Sequence, residues 1–144
     1  MPVMNLDSLL ERSAIQTGYR LGTVNQAFDR VRRREDPWIA LGDFLDDWRR
    51  AERDQRQGMT SEPISIQPDD PDRRWASLLA AVVDWLCWQN GLDAPAWVSA
   101  TAFNLPEPWF VTEGEAMRSW QLVESPVPFR MRGIFTDASI VSRA

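Results

Sequence analysis

The chain has no histidine, no lysine, one cysteine and one tyrosine among its 144 residues. Without histidine there is no Ser-His or Cys-His nucleophile system and no imidazole metal ligand. Without lysine there is no Schiff base and no phosphate-loop lysine. The lone Cys87 excludes an internal disulfide, and the seven glycines are scattered instead of forming a phosphate-cradling loop. Long hydrophobic runs are also missing. The longest, Trp75 to Trp88, is interrupted by Ser77 and Asp84 and is too short to cross a bilayer. Nothing near Met1 reads as a basic segment, an apolar stretch and a cleavage site, so the expected location is cytoplasmic. Carboxylates and arginines are the chemistry that remains. A pair of carboxylates could still hydrolyse a glycoside or hold magnesium, but spacing alone brings no such pair together. The expectation is therefore binding without catalysis, with no catalytic residue, no metal and no cofactor.

Among the residues that are present, eight tryptophans are unusual, and their large apolar area reads first as core packing. Sixteen arginines without a lysine read as the codon usage of a GC-rich genome. The net charge of −5 argues against broad nucleic-acid binding. Residues 1–36 carry six arginines and five acids, residues 37–73 five and nine, and residues 74–144 five and seven, so only the first segment favours DNA.

Apolar spacing predicts an all-α, multi-helix bundle. Leu6, Leu9, Leu10 and Ala14 mark a first helix, and Thr23 caps a second through Val24, Ala27, Phe28 and Val31. Pro37 opens a third, with Trp38, Leu41, Phe44, Leu45 and Trp48 on one face and Asp43, Asp46 and Asp47 on the other; its later part, Arg49 to Gly58, is polar. Residues 1–58 form an N-terminal helical unit and residues 59–71, rich in proline, an extended connector. Residues 72–144 form a core domain around the Trp75 to Trp88 helix, apolar nearly all round, begun by Asp70, Pro71 and Asp72 and ended by Gly91. Pro95 starts a short helix, Glu113 to Glu124 a longer one with Met117, Trp120 and Gln121 near one side, and Ala138 to Arg143 a last turn. Phe129 to Phe135 reads as irregular or extended, able to pair with Ile64 to Ile66 as a small two-stranded sheet. Cys87 should be a buried hydrophobe with a raised pKa, and Asp69, Asp70 and Asp72 should be helix-start chemistry and not a calcium loop.

Two constellations bear on function. From Ala14 through Gly18, Gly22 and Thr23 to Phe28 the chain resembles a repressor-type helix-turn-helix, with Arg20, Thr23, Gln26 and Arg30 facing DNA. Gly22 at the start of the second helix departs from the usual pattern, and Asp29, Glu35 and Asp36 dilute the basic face. The second constellation gathers arginines and aromatics: Leu105-Pro106-Glu107-Pro108-Trp109-Phe110, then Ser125-Pro126-Val127-Pro128-Phe129-Arg130-Met131-Arg132-Gly133-Ile134-Phe135. With Arg73-Arg74-Trp75-Ala76 and Ala94-Pro95-Ala96-Trp97, it resembles a family of small actinobacterial proteins encoded beside nucleotidyltransferase-like toxins and regarded as their antitoxins. The likeness covers residues 70–144 and extends only loosely into the N-terminal half. It implies a non-enzymatic, antitoxin-like protein that binds and blocks its toxin partner.

Trp109, Phe110, Phe129, Arg130, Arg132 and Phe135 are then the candidate partner-binding residues, since arginine forks and aromatics anchor interfaces. The competing reading lays the same residues onto the core, with Arg132 paired to Asp137 across a turn at Gly133. Asp43, Asp46 and Asp47 could also occlude a basic cleft of such a partner. Two alternatives stay open: a DNA-binding transcriptional regulator using residues 14–30, and a carboxylate-based enzyme.

Overall fold

The computed structural model describes residues 20–142. The expected first helix, with the Ala14 and Gly18 part of the helix-turn-helix, lies outside them.

The all-α expectation holds, with a two-stranded sheet added. Helix α1 (Val24–Arg32) begins at a complete capping box: Thr23 Oγ1 accepts from the Gln26 N–H while Gln26 Oε1 accepts from the Thr23 N–H. Helix α2 (Pro37–Arg50) starts with proline in its first turn and with Asp36 accepting from the Trp38 N–H. The polar continuation expected of this helix is a separate one, α3 (Arg53–Thr60), because Ala51 takes an extended conformation and Glu52 opens a second capping box with Gln55. Helix α4 (Arg73–Gln89) is the central element. It buries every residue from Ala76 to Val83, then Leu86 and Cys87. Gly91, at φ +64°, closes it: the Leu92 N–H returns to the Cys87 carbonyl at 2.8 Å and the Gly91 N–H to that of Trp88.

Asp72 does not cap α4 with its side chain, as the sequence suggested. It pairs with Arg34 at 3.0 Å, and Asp70 pairs with Arg32 at 2.9 Å while accepting from the Asp72 N–H. These two ion pairs fasten the connector to the end of α1.

After α4 come two 3-10 turns (Ala96–Ser99 and Thr101–Phe103), strand β1 (Trp109–Phe110), helix α5 (Glu115–Glu124), helix α6 (Val127–Arg130), strand β2 (Ile134–Phe135) and a final 3-10 turn (Ala138–Val141). The strands are parallel, with Trp109 opposite Ile134 and Phe110 opposite Phe135. The small sheet is thus not made with Ile64 to Ile66, and Phe129 belongs to a helix. A parallel pair needs a long crossover, and α5 with α6 supplies it.

One buried cluster runs through the fold. It joins Val24, Phe28 and Val31 of α1 and Leu41, Leu45 and Trp48 of α2 to Leu78, Val82 and Leu86 of α4, and to Phe129 and Ile134 beyond. Arg73 locks the connector and the C-terminal part together, donating to the carbonyls of Pro68, Ala102 and Asn104. Tryptophan is less internal than composition implied. Trp48 is enclosed, whereas Trp38, Trp88 and Trp120 are exposed.

Candidate functional site

Of the six arginine and aromatic candidates, the structure brings most together as support for the fold. Phe129 is fully buried in the core. Arg132 is 3% exposed and reaches inward, donating to the carbonyls of Pro128 at 2.6 Å and Val98 at 2.8 Å and to Asp84 Oδ2 at 3.1 Å. Its ion-pair partner is therefore Asp84 on α4, not Asp137. Phe110 stacks on Phe135 across the sheet at 5.0 Å between ring centroids, with Arg118 over the outer ring. Trp109 meets Trp75 edge-on at 5.1 Å and carries Arg74 above it. Arg130 is exposed, but donates to the carbonyls of Val123 and Ser125 and so holds the end of α5.

Three of the four candidate DNA-facing residues are likewise engaged in the fold. Thr23 and Gln26 satisfy each other's backbone in the capping box. Arg30 pairs with Glu35 and Asp43, which raise its pKa above the ordinary arginine value, Glu35 contributing most. Arg32 and Arg34 hold the connector, and Arg20 is exposed. The acidic face of α2 is also engaged: Asp43 accepts from Arg30, and Asp47 accepts from the Gly22 N–H at 2.8 Å and lies 3.8 Å from Arg50.

A different surface stands out. Eight large apolar side chains are exposed among the described residues, and six of them are Trp120, Leu122, Val123, Val127, Met131 and Trp88. Five of these six come from one twelve-residue stretch, which rules out random scatter over the surface. The cause is an inversion in α5. Its single buried residue is Gln121, whose amide clasps Thr112, accepting from its N–H and donating to its carbonyl at 2.9 Å each, and donates again to the Met117 carbonyl. The Ser125 hydroxyl donates to the Gln121 carbonyl and accepts from the Thr136 N–H. Because this buried amide is satisfied only when α5 faces inward with Gln121, Trp120 and Val123 must point away from the core.

Next to this face lies a groove of about 550 Å³ between the end of α4 and the α6 turn. Trp85, Trp88, Val127 and Met131 form its walls, Pro126 and Pro128 its edge, and Asp84 its charged position. Arg132 sits beneath, so the Asp84 carboxylate is anchored through one oxygen while its side chain stays 28% exposed. Asp84 is the one ionisable side chain lining the groove. The thiol of Cys87, on the inner side of α4, is pushed up to about 11 by burial first and by Asp84 and Asp93 second. No group of three or more potential metal-ligating side chains forms among the described residues. No described helix is long and apolar enough to cross a membrane.

Trp88, Trp120, Val123, Val127 and Met131 were missed as candidate site residues. No apolar stripe marks the inward side of α5, since the neighbours of Gln121 one turn away are Met117, Arg118, Glu124 and Ser125. Compared with protein-family models, curated proteins and solved structures, the chain matches none. The class its architecture defines, among the described residues, is a helical fold with a small parallel sheet and a concentration of exposed apolar side chains on α5, α6 and the end of α4.

Proposed function

We propose that this chain is a non-enzymatic protein-binding module, antitoxin-like, that binds and blocks a nucleotidyltransferase-like toxin through the face formed by α5, α6 and Trp88. The observation that carries the reading is the concentration of exposed Trp88, Val123, Val127 and Met131, which are 73%, 72%, 65% and 67% exposed. Tryptophan and methionine are enriched at interface centres, and a patch held outward by the Gln121 clasp is preorganised for a partner. The resemblance across residues 70–144 supplies the antitoxin role, and the face lies within that stretch. The engagement of Thr23, Gln26 and Arg30 in local caps and ion pairs favours this reading over operator binding.

Co-expression with a nucleotidyltransferase-like toxin encoded beside this gene tests it. The wild-type chain should restore growth and co-purify in fixed stoichiometry. Trp88→Ala and Met131→Glu should lose both, weakening binding by about 2 kcal/mol or more as hot-spot truncations do, with unchanged circular dichroism. Absence of any complex with the wild-type chain would remove the antitoxin role. A complex insensitive to both substitutions would remove this face.

A further inference from the structure

A second groove, of about 570 Å³, opens between α2 and the C-terminal part of the chain. Trp38, Leu41, Gly42 and Leu45 of α2 line it, together with Val111 just after β1 and Ile140 of the final 3-10 turn. We propose that this groove is the docking site of the chain's own N-terminal segment, residues 5–17, seated on α2 through Leu6, Leu9, Leu10 and Ala14.

The site follows from α2 having two apolar faces. Its buried residues extend from Ala40 round to Gly42, about 200° of the helix at about 100° per residue. A helix facing one partner needs a stripe of about 100°. The part centred on Phe44 and Trp48 belongs to the cluster with α1 and α4. Trp38, Leu41, Gly42 and Leu45 stand at the spacing i, i+3, i+4 and i+7 and form the other part. Leu41 and Leu45 lie deep in the groove, whereas Trp38 is 42% exposed at its edge. Glycine weakens a helix interior relative to alanine, and what Gly42 provides is a floor without a side chain, over which a second helix can approach closely. Helix α1 has no such second face. Its buried residues, Val24, Ala27, Phe28 and Val31, form one stripe, and that stripe is already in the cluster.

The occupant follows from where the chain enters. Gly22 donates its N–H to Asp47 at 2.8 Å, which fixes the start of α1 beside α2 two residues beyond Leu45. Asp47 lies round the helix from the groove. Residues 18–21 reach about 14 Å when extended, enough to cross α2, which is about 10–12 Å wide with its side chains. Beyond them, residues 5–17 in helical form run about 20 Å, against about 11 Å along α2 from Leu45 to Trp38. Leu6, Leu9, Leu10 and Ala14 give the segment an apolar stripe, with Ser8, Glu11 and Arg12 on its other side. A segment held by so short a tether competes at a roughly millimolar effective concentration, which favours it over a second copy of the chain. Once seated it also meets Val111 and Ile140. It thereby ties the start of the chain to the neighbours of Thr112 and Thr136, whose backbones Gln121 and Ser125 hold.

Photo-cross-linking in the full chain tests this. Benzoylphenylalanine in place of Trp38 should couple to residues 1–17 of the same chain, in a product of monomer size. The same probe in place of Trp120, exposed on α5, should give no such product. Leu10→Asp should lower the yield from position 38 at least about tenfold and speed amide exchange in residues 5–17 by as much, with exchange in Arg73–Gln89 unchanged. Leu10→Met should keep both near wild type. A product of dimer size alone would make the occupant a second copy and overturn the inference. So would a probe at position 38 that never reaches residues 1–17, or amides of residues 5–17 that exchange as fast in the wild-type chain as in Leu10→Asp. The cross-link to the native N-terminal sequence decides the matter even where Leu10→Asp fails to fold.

Discussion

Cys87 and Asp84 lie three residues apart on α4, and burial decides what each can do. Cys87 is 2% exposed in the core, where the thiolate has no solvent and faces the negative field of Asp84 and Asp93. Its pKa is raised from 9.0 to about 11. Between those values the unfolded chain releases the proton while the folded one keeps it. The stability that the neutral thiol contributes is therefore fully present below pH 9.0 and is lost as the pH rises through about 11. Urea unfolding at about pH 8 and about pH 10.5 should show a loss of roughly 2 kcal/mol that the Cys87→Ala variant does not share. A thiol reagent at neutral pH should leave the folded protein unmodified. Asp84, by contrast, stays partly exposed at the groove while pairing with Arg132 at 3.1 Å. The arginine that sequence reasoning placed in an interface instead pairs with a carboxylate of the groove.

At the scale of elements, what was legible were the helices whose apolar residues face inward. The Thr23 cap, the Pro37 start, the central helix from Arg73 to Gln89 and its Gly91 stop all follow from local chemistry that one sequence displays. Of the small two-stranded sheet, one strand lies inside the stretch Phe129 to Phe135 that the sequence marked as extended, but its partner, Trp109–Phe110, was not legible. The strands are two residues each, too short for an alternating pattern, and they pair across a crossover of two helices. The exposed apolar face was hidden for a different reason. Apolar periodicity in α5 is read as the buried side, but here the one buried residue is Gln121, whose fully enclosed amide is bonded only when it faces Thr112 and Met117, and this leaves Trp120 and Val123 outward. Gln121→Leu should therefore do more than lower stability by about 2–3 kcal/mol. It should free α5 to roll, so that exposure of Trp120, followed by the wavelength of its fluorescence and by hydrogen exchange in residues 112–125, changes together with the unfolding midpoint. A variant that lost stability with Trp120 still fully exposed would show that Gln121 does not set the orientation of the helix.

Over the whole molecule, the connector joins its neighbours more than it separates them. Arg32 and Arg34 grip Asp70 and Asp72, Arg53 donates to the carbonyls of Asn90 and Gly91, and the Trp97 indole donates to the Thr60 carbonyl at 2.8 Å. The inner surface of α4 is shared in the same way, with Leu78 and Leu79 beside Ala27, Val31, Ala40 and Leu41 and with Trp38 edge-on to Trp75 at 5.2 Å. Removing the N-terminal helices would thus uncover the most apolar element of the fold along its length, and the remaining segment would keep its polar clasp at Gln121 but lose the wall against which α4 packs. A fragment of residues 59–144 should consequently retain helical circular dichroism but give collapsed amide dispersion and no cooperative melt, while the full chain unfolds in one transition reported alike by tryptophan fluorescence and by far-ultraviolet signal. Two separated transitions in the full chain, or a well-dispersed fragment spectrum, would mean that the C-terminal helices carry their own stability. The exposed apolar face would then be a property of that part alone and would survive in the fragment. If the fragment is molten, the same face exists only when α1 and α2 hold α4 in place, and binding of a partner to it must stabilise the entire chain against unfolding.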